Sequence, residues 1–270
     1  MSFDAFRSAV AGAKVYELAH HLDMSIPVSP NHPGYKMALQ RRHGDNVRAD
    51  GASASNEMIL IGGHTGTHID ALSHVSQDGK LHDGVDAFAN QTGGRHKQKG
   101  METAQPLFCR GILADIAGLK GVDALEPGTK VTADDLKDAF AKQGVAEPAK
   151  GDCVIVRSGW SKHWGDAHSY LGHDSGVPGP DISAAAYLAE KGIAVTGHDS
   201  MAYEWLAPGA GHSLLPVHRI FLVENGIHII ENLNMDALAA ARVYEFLFVC
   251  LPLPFVGATG SPVRPIAVVS

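Results

Sequence analysis

Between Gly62 and Val75 the chain reads GGHTGTHIDALSHV, which sets His64, His68, Asp70 and His74 within eleven residues. The segment follows directly on an apolar run closed by glycines, EMILIGG (Glu57–Gly63), which reads as a strand. All four positions share parity, so in an extended or gently curved segment they project to one side. Full extension would separate the Cα atoms of His64 and His68 by about 13 Å, near the limit for sharing one ion. A bend is therefore needed, and Gly66 is the residue able to make it. Thr65, Thr67 and Ile69 are β-branched and argue against a helical His-x-x-x-His. Any fold for this chain must bend here and bring further ligands from elsewhere, because one segment makes only part of a site.

The donors are imidazole and carboxylate without thiolate, a set that suits Zn²⁺, Mn²⁺, Co²⁺ or Fe²⁺. The three cysteines, Cys109, Cys153 and Cys250, are far apart and form no Cys-x-x-Cys pair, so neither a disulfide scaffold nor a zinc ribbon is expected. Cys153 and Cys250 sit in apolar runs and read as small core residues. With 22 Lys plus Arg against 29 Asp plus Glu, the net charge is −7, which argues against a nucleic-acid surface. Hydrophobic residues make up 45% and charged residues 19%, the balance of a core-forming chain and not of a disordered one. The N-terminus has no apolar stretch suited to a signal peptide. The longest apolar run, from Phe246, contains two prolines and falls short of the roughly 18 residues of a membrane span. A cytoplasmic protein without membrane contact is expected.

Strand and helix patterns alternate. Gly111–Leu119, Asp152–Gly159 and Ile193–Gly197 read as strands, as do IHIIENL, YEFLFVCL and VRPIAVV towards the C-terminus. Thr132 and Asp135 form a capping-box start for a helix that Gly144 ends. Asp181 caps a second helix that stops at Gly192. Ser213–Gly226 fits a third, with Pro216 in its first turn. These patterns predict a mixed α/β fold over residues 1–270 as one domain. The segments 92–106 and 161–180 read as a surface insertion and a loop; residues 1–13 read as a lead.

Among the remaining histidines two positions differ from the background. His218 lies in the third helix, and Glu231 ends the otherwise apolar strand IHIIE. A carboxylate there is costly unless it is paired or bound to metal. His20, His21, His32, His43, His82, His96, His163, His168, His173, His212 and His228 carry no spacing signal. His198, next to Asp199, is at best a pocket-lining residue. Ser158 lacks the Gly-x-Ser-x-Gly elbow, and no phosphate-binding Gly-Lys loop occurs.

HTGTHIDALSH resembles the His-x-Gly-Thr-His-x-Asp-x-x-x-His signature of the metal-dependent cyclase-like hydrolases, the family of kynurenine formamidase and isatin hydrolase. Tyr16–Pro33, Leu215–Leu238 and Gly257–Val268 are similar to the family's opening strand and Pro-rich loop, its His-to-Glu-Asn-Leu segment and its closing strand. The resemblance implies a mixed, partly barrel-like β-sheet with flanking helices (a swivelling β/β/α arrangement) and a homodimer or homotetramer. It further implies His64, His68 and Asp70 as ligands of a first metal, Zn or Mn. By the same carry-over His218 holds a second ion, Glu231 is shared between the two, Asp70 can bridge, and His74 is the catalytic proton donor and acceptor. One or two ions per chain fit the family. Leu72 stands where many members have Pro. The loop SPNHPGY lacks the Trp of the short formamidases, and the chain is longer, which turns the expected substrate away from N-formylkynurenine.

The function expected is metal-dependent hydrolysis of a C–N bond in an amide, arylformamide or cyclic amide, with a metal-activated water as nucleophile. Two alternatives are a non-haem iron oxygenase built on His68, Asp70 and His218, and a non-catalytic metal-binding protein.

Overall fold

The computed structural model describes Asp4, Arg7 and residues 11–269; most of the N-terminal lead falls outside them. Nine strands form the main sheet: β1 (Lys14–Glu17), β2 (His68–Asp70), β3 (Leu107–Asp115), β4 (Cys153–Arg157), β5 (Val195–His198), β6 (His228–Glu231), β7 (Glu245–Cys250), β8 (Gly260–Pro262) and β9 (Ile266–Val269). Their order is β1-β9-β7-β3-β4-β5-β6-β2-β8. The centre, β3-β4-β5-β6, is parallel; every pairing outside it is antiparallel.

Alternation along the central strands splits the interior into two cores. Ile112, Ala114, Val154, Val156 and Ile229 face the helices. These are α1 (Ile116–Lys120), α2 (Ala133–Gln143), α3 (Ile182–Glu190) and α4 (Pro216–His218), the last running into a π-helical stretch, Arg219–Asn225. Leu113, Cys153, Ile155, Val195 and Ile230 face the other way and meet residues from both ends of the sheet, Tyr16 and Ala267 with Ile69 and Val263. One inner core shared by both ends means that the sheet curls, which is the partly barrel-like arrangement expected.

The helix signals held where capping chemistry was explicit. Thr132 accepts from the Asp135 amide while Asp135 accepts from the Thr132 amide, and Gly144 closes α2 in the left-handed region. Asp181 caps α3 through the Ser183 and Ala184 amides. The third helix starts later than expected, at Pro216.

Three expectations need correction. Gly111–Leu119 is not one strand, because Asp115 caps Gly118 and turns the chain into α1. The stretch 161–180 is not an open loop: Trp160–His163 and Ala167–Leu171 are helical turns, held by the buried Trp160 and Tyr170. The segment 92–106 is surface only in its first half, where Gln91–Thr92 pairs with Arg95–His96. Met101 is fully buried in the inner core, so the second half belongs to the scaffold.

The run after residue 56 is a strand, but not in the main sheet. Asn56–Leu60 pairs with Lys36–Arg41 in a separate hairpin whose strand residues are all exposed. Among the described residues no helix is long and apolar enough to cross a membrane.

Candidate metal centre

Strand parity places the site. Ile69 and Ile230 point into the inner core, so their neighbours His68, Asp70 and Glu231 project to the opposite face, the one α4 covers. Glu231 and His68 are direct cross-strand partners between β6 and β2. Asp70 pairs with Gly260 of β8. His218 ends α4.

The bend between His64 and His68 is at Gly66, which has φ +68°. A side chain there would meet Leu22 as well as cost left-handed strain. The Gly66 carbonyl accepts from His68 Nδ1 (2.8 Å) and from Asn232 Nδ2 (2.9 Å). Asn232 itself holds φ +57°, and its carbonyl accepts from the Thr67 hydroxyl at 2.6 Å. Tyr170 donates its hydroxyl to Asn232 Oδ1 at 2.7 Å. A strained residue next to Glu231 is thus held by three side-chain bonds, two of which tie the β2 turn to the end of β6.

All six residues singled out in the sequence come together. His64, Asp70 and His74 each offer a donor atom within 4.8 Å of the others, and so do Asp70, His218 and Glu231. Asp70 belongs to both groups. His68 Nε2 lies 3.6 Å from Asp70 Oδ1 and 3.4 Å from Glu231 Oε2. His218 Nε2 lies 3.8 Å from Asp70 Oδ2 and 3.2 Å from Glu231 Oε1. Donor atoms about 2.1 Å from a tetrahedral ion stand about 3.4 Å apart, so this spacing is that of a ligand cage. Asp70 Oδ2 is buried without a hydrogen-bond partner. An orphaned carboxylate oxygen aimed between imidazoles is what a cation would complete.

Burial alone would raise the carboxyl of Asp70, but the imidazoles of His74, His64 and His68 hold it well below the usual range. Burial likewise works against ionised Glu231, and its bonds to His218 and His68 bring it down to about 2. Burial pushes His218 down, yet hydrogen bonds to Glu204 and Glu231 lift it to about 10. Two buried carboxylates therefore stay charged and favour protonation of His68 and His218. A divalent cation would replace those protons. His74 behaves differently. Burial drops it to about 3 against the pull of Asp70, so its ring is neutral.

A cavity of about 270 Å³ opens on the site, with Ser29, Asn31, His32, Met201, His212 and Leu215 along its walls. His32 stacks on His64 (ring centroids 5.1 Å apart), and His64 on His74 (4.0 Å). His32 and His212 carried no spacing signal; only the fold brings them here. Glu204 was also missed. Its carboxylate accepts from the Val217 and His218 amides and from His218 Nδ1, and nothing in DSMAYEWL marks it. His198 is corrected: it is fully buried against Ser200 and Asp199 and does not line the cavity.

A curled sheet carrying two carboxylates and four imidazoles at one end of its parallel strands defines a cyclase-type protein. Residues 16–205 match the family described as "Putative cyclase", and the chain belongs to that family. The isatin hydrolase of Roseibium aggregatum is 26% identical over 224 residues, covering 82% of this chain and 77% of its own. The kynurenine formamidase of Bacillus cereus is 27% identical over 203 residues, 75% of each chain. A solved structure of a novel cyclase superposes with a TM-score of 0.85 at 28% identity, over 98% of this chain and 91% of that one. Isatin hydrolase A from Ralstonia solanacearum shares the fold, with a TM-score of 0.76 at 21% identity over 100% and 98% of the two chains.

Proposed function

We propose that the protein is a divalent-metal-dependent hydrolase of C–N bonds in amides, arylformamides or cyclic amides. The observation that carries this reading is the convergence of His64, His68, His218 and Glu231 on Asp70, whose Oδ2 is left without a hydrogen-bond partner. Kinship with an isatin hydrolase and a kynurenine formamidase supports the bond type. Oxygen and nitrogen donors without sulfur suit Zn²⁺ or Mn²⁺. His64 and His68 on one side of Asp70 and His218 and Glu231 on the other offer enough donors for two ions.

When bound, such an ion supplies Lewis acidity to a carbonyl and activates water. The residues of the chain do the rest. His64 and His68, with Asp70, would hold one ion, and His218 and Glu231, again with Asp70, would hold a second. His74, neutral and beyond the ligands, accepts the proton of the nucleophile and passes it to the leaving nitrogen. The walls formed by Met201, Leu215 and the stacked His32 orient a planar amide. An oxygenase triad of His68, Asp70 and His218 would leave His64 and Glu231 without a role, although His64 stands 2.9 Å from Asp70 and Glu231 3.2 Å from His218.

The reading includes a homo-oligomer and a cytoplasmic location. Three free cysteines fit a reducing compartment. The exposed hairpin presents Met37 and Ile59 on one face and Met58 and Leu60 on the other. A two-stranded hairpin with apolar residues on both faces is marginal alone and suits burial against a second copy.

The deciding experiment is metal analysis of the purified protein, followed by hydrolysis assays with isatins, arylformamides, cyclic imides and lactones. Hydrolysis of one C–N class that disappears together with bound metal in Asp70→Ala is the expected result. Full activity after exhaustive chelation would overturn the proposal.

A further inference from the structure

Each imidazole placed around the ions has its second nitrogen held by a different kind of partner. His68 Nδ1 donates to the Gly66 carbonyl at 2.8 Å. A carbonyl only accepts, so this bond fixes the tautomer that leaves Nε2 bare. His64 Nε2 meets the Thr259 hydroxyl at 2.8 Å, a group that donates or accepts equally well and fixes nothing. His218 Nδ1 donates to a carboxylate, Glu204 Oε1, at 2.7 Å, which leaves Nε2 facing Glu231 and Asp70.

Glu204 is 2% exposed and, among the described residues, its one ion-pair partner is His218. Its oxygens also take the Val217 and His218 amides at 3.1 and 3.0 Å, so the carboxylate cannot swing away from the ring. A buried anion behind a ligand imidazole fixes ring orientation and raises ligand basicity. Neither His64 nor His68 has such a partner. Resting on the hydrolase reading above, we propose that Glu204 is a positioning residue that makes the His218–Glu231 side the higher-affinity of the two cation positions.

The test is stepwise titration of metal-free protein with Co²⁺, read by visible absorption and by competition with a chromophoric chelator. Wild type should take up two equivalents of unequal affinity. Glu204→Gln, close in size but uncharged, should weaken the tighter equivalent by about 10–100-fold and leave the other within about twofold. His64→Ala should do the reverse, losing the weaker equivalent and keeping the tighter one. This second variant tests the assignment even if Glu204→Gln does not fold. Equal weakening of both equivalents in Glu204→Gln would indicate a merely structural cap on α4 and overturn the inference. Unchanged affinities, or loss of the tight equivalent in His64→Ala, would do the same. Wild-type protein that takes up no divalent cation would remove the hydrolase reading itself, and the inference with it.

Discussion

His74 and Asp70 stand side by side in the site, yet their surroundings drive them to opposite protonation behaviour. Imidazoles hold Asp70 ionised, whereas burial keeps His74 neutral down to about pH 3. A neutral imidazole stacked at 4.0 Å on His64 is, on the proposed reading, the group that relays the proton. His74→Ala should therefore retain its metal content and lose about 10²–10⁴-fold in kcat; metal analysis alongside steady-state kinetics checks both halves. Turnover within a few-fold of wild type would remove the proton-relay role. At this scale the sequence was most informative where donors are close along the chain. His64, His68, Asp70 and His74 are legible from parity and the Gly66 bend, and Glu231 from the cost of a carboxylate on an apolar strand. His218 needed the family resemblance to acquire a role. Glu204, Thr259, His32 and His212 were illegible because their meaning lies in contacts across 14 to 195 positions or in cavity walls. No local pattern encodes those.

Elements with explicit punctuation were read correctly, and those whose identity depends on packing were not. α2 has a capping box at its start and a left-handed glycine at its end, both visible as residue types. Thr132→Ala should cost about 1 kcal/mol of stability. A denaturant midpoint shifted at unchanged slope would show it, and no shift would mean that tertiary packing holds the first turn. By contrast, Gly111–Leu119 is apolar throughout, and periodicity alone does not separate the end of a buried strand from a short buried helix. Asp115 decides it by capping Gly118, while Arg157 donates to the same carboxylate oxygen at 3.0 Å. The turns between 160 and 171 likewise rest on the indole of Trp160 donating to the Tyr170 carbonyl at 2.8 Å. Neither contact is local enough to read from composition.

The whole molecule adds two expectations, one about its surface and one about pH. Met58 and Leu60 remain 60% and 59% exposed on the hairpin. If the hairpin is the proposed contact between copies, replacing both with Lys should turn a self-associated protein into a monomer while its helical circular dichroism is preserved. Sedimentation is the measurement, and an unchanged mass would place the interface elsewhere. Burial lowers His20 to about 4, and it lowers His228 as well. In the unfolded chain both return to about 6.5. Between roughly pH 4 and 6.5 the unfolded state thus binds more protons, so stability rises with pH across that window and is lost on acidification through it. The melting temperature of metal-free protein should fall steadily from pH 7 to 4. A flat profile would mean that these rings do not stay neutral in the fold.

The cross-strand pairing of His68 with Glu231 has a consequence for how the molecule breathes. β8 hydrogen-bonds to β2 and β2 to β6, so the outermost strand at this end hangs on a three-residue strand. A ligand that grips both sides of the β2–β6 seam stabilises the closed form by RT ln(1 + [L]/Kd), about 2.7 kcal/mol at a hundredfold excess over Kd. Amide hydrogen exchange at Ile69, Ala71 and Ser261 should slow markedly when metal is added, while amides of β3 and β4 scarcely change. The chemistry of the site thus doubles as a clasp for this end of the sheet, and a cell short of metal would expose these strands to proteases first.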